Sequence, residues 1–107
     1  MTRQLLVAEF LRAQAAWRLA RADGDPVRAA RCAAALLDAA AYAAALADTD
    51  RSLALLAGAG CFRGQVFDPG SRGMSIARWW QYRDVPQAGP KDLMAALAAA
   101  VAAAPRS

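Results

Sequence analysis

GDPVRAARCAAALLDAAAYAAALA, residues 24–47, reads as one helix almost from end to end. Gly24 stops the preceding segment. Asp25 is an acidic N-cap, and Pro26 follows at the first helical position, where a missing amide proton costs nothing. The spacing predicts a helix over 26–47. Arg28, Arg31, Asp38 and Tyr42 fall along one strip of it, while Ala29, Ala33, Leu36, Leu37, Ala40, Ala44 and Ala47 cover much of the remaining surface. Alanines let neighbouring backbones approach closely. The apolar surface is wider than one partner helix needs, so this helix is either the centre of a bundle or packs against a second subunit in a homodimer.

Towards the N-terminus, Leu6, Phe10, Ala13, Trp17 and Ala20 recur at spacings of three and four. They predict a helix over 3–22 with those residues on its buried face, Glu9 at the edge and Arg12 off it. The short link through Gly24 then makes the first two helices an antiparallel hairpin. Towards the C-terminus, Asp48, Thr49 and Asp50 are capping residues. They predict a short helix over 51–57 with Leu53 and Leu56 inward and Gly58 or Gly60 at its end. A last helix begins near Gly89-Pro90, carries Asp92 in its first turn, aligns Leu93, Leu97 and Val101, and stops at Pro105.

Residues 61–83 interrupt this rhythm. They hold Phe62, Phe67, Trp79, Trp80 and Tyr82, with Arg63, Arg72, Arg78 and Arg83 between them. Cys61 to Phe67 is short, aromatic and broken by Gly64, which reads as a bend. Asp68-Pro69-Gly70 is a turn signal. Met74 to Arg83 is either a second strand or, as favoured by the cap at Ser75 and the helix formers Ala77, Arg78 and Gln81, a helix over 75–83. The expected fold is therefore mainly α: a small bundle of about four to five helices, with an irregular or β-hairpin-like insert at residues 61–74.

At 107 residues the chain has the length of one domain, 1–107. Half of its hydrophobic share of 58% is alanine, so the larger apolar residues must supply most of the core. The net charge of +4 comes from arginines, Lys91 being the one lysine. Such a balance suits phosphate, anionic surfaces or acidic partners without choosing among them. The chain has no histidine, and Cys32 and Cys61 lie far apart. No zinc or haem signature follows, and no metal or cofactor is expected. Cys32 in an apolar helical pattern reads as a buried free thiol and, with it, a cytoplasmic location. Glu9 and Arg12 interrupt any signal-peptide core, and neither 33–47 nor 93–104 suits a membrane span.

An enzyme needs a proton handler, a nucleophile or a metal. Here Glu9 is the only glutamate, and Asp25, Asp50 and Asp92 already serve helix starts. Cys61, ahead of an arginine-bearing segment, has the surroundings of an activated thiol but no base beside it in sequence. Gly58-Ala59-Gly60 and Gly64 lack the lysine and hydroxyl residue of a phosphate loop. No small-molecule substrate is identified.

The segment 61–83 is the candidate interface, with Arg63, Arg72, Arg78, Trp79, Tyr82 and Arg83 as its contact residues. Trp, Tyr and Arg are the residue types that carry most interface binding energy. The expected function is a non-enzymatic binding or assembly subunit that meets a protein partner, or a second copy of itself, through this segment. The alternative partner is nucleic acid, single-stranded or structured, since aromatic faces stack on bases and arginines meet phosphates. Attachment to a membrane is not expected. Beside these stands a structural account, in which Phe10, Trp17, Phe62, Phe67 and one or both of Trp79 and Trp80 simply fill the core.

Overall fold

The structure is a computed structural model that describes residues 2–21, 24–68 and 89–103. Helix α1 spans Arg3–Ala20, and the Thr2 hydroxyl caps it by accepting from the Leu5 amide at 3.4 Å. Its buried face is Gln4, Val7, Ala8, Leu11, Ala15 and Arg18, with Leu6 beside them. The expected stripe is therefore rotated around the helix. Leu6 is buried and Phe10 half-buried, but Ala13, Trp17 and Ala20 are exposed. Size drew the sequence reading towards Phe10 and Trp17. Packing instead selects the side where Ala8 and Ala15 let the next helix come close.

Helix α2 spans Pro26–Ala44. Gly24 takes a φ of +82°, which turns the chain between the helices, and the Asp25 carboxylate accepts from the Arg28 amide at 3.0 Å. Buried Gln4, at the start of α1, donates through Nε2 to the Leu46 carbonyl at 3.0 Å and to Asp48 Oδ1 at 2.5 Å, just past the end of α2. The two helices are thus antiparallel, joined by the short link at one end and by Gln4 at the other. This bond also accounts for α2 ending at Ala44 rather than at Ala47. Ala45 and Leu46 bond back only three residues, to Tyr42 and Ala43, which tightens the last turn, and the Asp50 amide bonds to the Ala47 carbonyl, leaving the Leu46 carbonyl to accept from Gln4. Ala45, Leu46 and Ala47 are good helix formers, so nothing local marks that stop.

Helix α3 spans Arg51–Gly58, capped by Asp50, whose Oδ1 accepts from the Ser52 and Leu53 amides at 2.8 and 3.3 Å. Leu53 and Leu56 face inward as expected. The helix ends in a Schellman motif: the Cys61 amide bonds to the Leu56 carbonyl and the Gly60 amide to Ala57, with Gly60 at φ +75°. Buried Leu56 and Cys61 supply the apolar pair at the C3 and C″ positions that accompanies this motif. Strands β1 (Phe62–Arg63) and β2 (Val66–Phe67) follow as an antiparallel hairpin. Its two-residue loop is Gly64-Gln65, and Gly64 at φ +58° supplies the positive φ that a tight hairpin turn needs. Strand pairing thus crosses Gly64, inside 62–67; the turn signal Asp68-Pro69-Gly70 runs beyond the described residues. Helix α4 spans Pro90–Ala103, with Asp92 in its first turn and Leu93, Met94, Leu97, Ala98 and Val101 buried.

One cluster of buried residues draws on α1, α2, α3, β2 and α4. Helix α2 is its middle element, packed against α1 and against α4, which in turn meets α3. Among its large side chains Leu11, Leu53, Leu56, Leu93, Met94 and Leu97 are the biggest that are fully enclosed. Each contributes about 1.5–3 kcal/mol by leaving water, against far less for an alanine.

Candidate interaction surface

The hairpin that opens the candidate segment is two-faced because its register is Phe62 opposite Phe67 and Arg63 opposite Val66. Residues directly opposite in an antiparallel pair share a face. The phenylalanines therefore point together towards α1, and Arg63 and Val66 point together away from it. Phe67 is 5% exposed and meets the Phe10 ring edge-on, with centroids 5.1 Å apart and planes at 74°. Half-buried Phe62 lies 5.2 Å from Phe67 at 53°. The core role weighed for Phe62 and Phe67 holds for Phe67, and Phe62 packs at the core's edge.

Over the outer side of Phe62 sits the Arg3 guanidinium, 5.6 Å from the ring centroid. A contact of this kind contributes about 0.5–1 kcal/mol at an exposed site. It brings a second arginine to the hairpin, on the face opposite to that of exposed Arg63. Arg3 and Phe62 are far apart in the chain, so no spacing could have joined them. Val66, 56% exposed, adds an apolar patch next to Arg63.

Of the expected contact residues, Arg63 is placed on this outer face. Arg72, Arg78, Trp79, Tyr82 and Arg83 lie outside the described residues, as do Trp80 and the choice between helix and strand for 75–83. Trp17 does not fill the core. It is 39% exposed, and the Arg21 guanidinium lies 4.9 Å from its ring. Buried Arg18 donates through Nη1 to the Arg21 carbonyl, closing the end of α1. Trp17 and Arg21 sit at the far end of α1 from Arg3, about 25 Å away at 1.5 Å per residue, so they form a separate surface.

Cys32 and Cys61 are both buried, and neither forms a disulfide. Attack on an external substrate needs an accessible sulfur, and neither thiol offers one in this conformation. Among the described residues no group of His, Cys, Asp and Glu could hold a metal ion, and no helix is long and apolar enough to cross a membrane. Asp25 and Asp50 spend their carboxylates on helix caps. Comparison with known protein families, with curated proteins and with solved structures finds no match for this chain. What the hairpin can do must be argued from the side chains around it: an outward Arg63 and Val66 on one face, and the edge of Phe62 under Arg3 on the other.

Proposed function

We propose that the chain is a non-enzymatic binding or assembly subunit that contacts a macromolecular partner through the segment 61–83. The observation that supports this is the hairpin's division of labour. Phe67 holds it to α1, leaving Arg63 and Val66 outward and the Arg3 and Phe62 pair on the other face. Arginine and aromatic residues grouped on a rigid support are the residue types of interface hot spots. Arg72, Arg78, Trp79, Tyr82 and Arg83 extend the same composition along the chain. Nucleic acid is the second reading, favoured by the Arg3 guanidinium over the Phe62 ring and by exposed Arg63 in the same hairpin.

The test is size-exclusion chromatography with light scattering, recording absorbance at 260 and 280 nm, followed by the same run on Arg63→Ala, Arg78→Ala, Trp79→Ala and Tyr82→Ala. A subunit of this kind loses co-eluting partner in these variants while its far-UV circular dichroism stays unchanged. Nucleic acid as partner shows as a high 260 nm signal stripped by salt, because phosphate binding releases counterions. A protein partner is far less sensitive. If every substitution unfolds the chain, the segment belongs to the core and the proposal fails.

A further inference from the structure

Helix α2 presents to solvent a face that carries almost no charge. Its exposed positions include Val27, Ala30, Ala34, Leu37 and Ala41, spaced three, four, three and four, and the first and fourth are 61% and 47% exposed. That spacing is the seam of a helix pair. A solvent face of an amphipathic helix would carry polar residues there. The charges sit instead on one edge of the seam: Arg31 and Asp38, seven residues apart, both exposed and without an ion pair among the described residues. The opposite flank, Ala33 and Ala40, is buried in the chain's own core.

We infer that this face is covered by α2 of a second copy of the chain, antiparallel and related by a two-fold axis near Ala35. The charge pattern selects that occupant and that direction. A two-fold axis reverses the order of residues, so each Arg31 comes to lie beside the partner's Asp38, and the pair forms twice. Placed in parallel, the same edge meets the buried alanine flank and both charges lose their water without an ion to face. The shapes agree with the charges: reversed about the same point, Leu37 falls against the partner's Ala34, and Val27 against the partner's Ala44. Large side chains meet small ones along about four turns of helix. The inference rests on α2 alone and does not depend on the role of 61–83.

Sedimentation equilibrium of the purified chain over a wide concentration range tests it. The expected result is a monomer–dimer equilibrium. Leu37→Glu weakens the dimer by at least tenfold. Arg31→Asp and Asp38→Arg, each placing like charges together, weaken it singly, and the double reversal Arg31→Asp/Asp38→Arg restores it. All four changes lie on the exposed face, and far-UV circular dichroism checks that the monomer stays folded. A chain that is monomeric at every concentration, or a dimer indifferent to Leu37→Glu and to the single reversals, overturns the inference. So does a double reversal that is no better than its worse single change.

Discussion

Gly58 and Gly60 stand two residues apart and do opposite things. Both have open space where a Cβ would sit, so sterics with neighbours do not separate them. Gly58 is inside α3, whereas Gly60 holds a φ of +75° at the Schellman position. Gly58→Ala is expected to stabilise the fold by about 0.5–1 kcal/mol by narrowing the unfolded ensemble. Gly60→Ala is expected to cost about 1–2 kcal/mol through the left-handed backbone. Urea denaturation midpoints of the two variants, measured at constant slope, check the contrast. The sequence offered either glycine as the stop of α3, since both follow an apolar run. Choosing between them required knowing that the Cys61 amide reaches back to Leu56. The same distinction applies to Gln4, whose polarity on a mostly apolar face has no local meaning until the Leu46 carbonyl and Asp48 are found beside it.

Among the elements, helix starts were legible and helix ends less so. Asp25 before Pro26, and Asp50 before Arg51, announce α2 and α3 because a cap is a local device, written within three residues of where it acts. Asp25→Ala is expected to lower stability by about 1 kcal/mol, read as a drop in the thermal midpoint, while Asp25→Asn recovers most of the loss. The end of α2 was not legible, since it depends on Gln4, more than forty residues away. The face of α1 was misread for a related reason. Periodicity identifies a helix and the set of faces it has, but Phe10 and Trp17 lie close enough to the true stripe to compete with it. The neighbouring alanines of α2 decide which side packs. The hairpin is the intermediate case: Gly64 marked a bend, and the alternation Phe62, Arg63, Val66, Phe67 supports two faces, but nothing within the segment fixed that these two short runs pair with each other.

For the whole molecule, a core in which seven of the nineteen clustered residues described are alanine leaves the larger side chains carrying most of the stability. Phe67 joins the hairpin to Phe10 of α1 and to the central cluster. Phe67→Ala is expected to cost about 3–5 kcal/mol, a large fraction of the about 5–15 kcal/mol available to a domain, whereas Val66→Ser on the outer face stays within about 0.5 kcal/mol. Chemical denaturation of the two variants compares adjacent residues on opposite faces of one strand. Composition, caps and spacing by themselves determined that this chain is mainly helical, where α2, α3 and α4 begin, and that an arginine and aromatic segment breaks the pattern, because those properties act over one or two turns of chain. Only the tertiary structure decided which side of α1 is buried, that Trp17 lies outward and Phe67 inward, that Arg3 joins Phe62, and that α2 keeps an uncharged face towards solvent. Each of those depends on contacts between residues tens of positions apart, where close approach of alanine faces and the pairing of buried polar groups outweigh the preferences of any single segment.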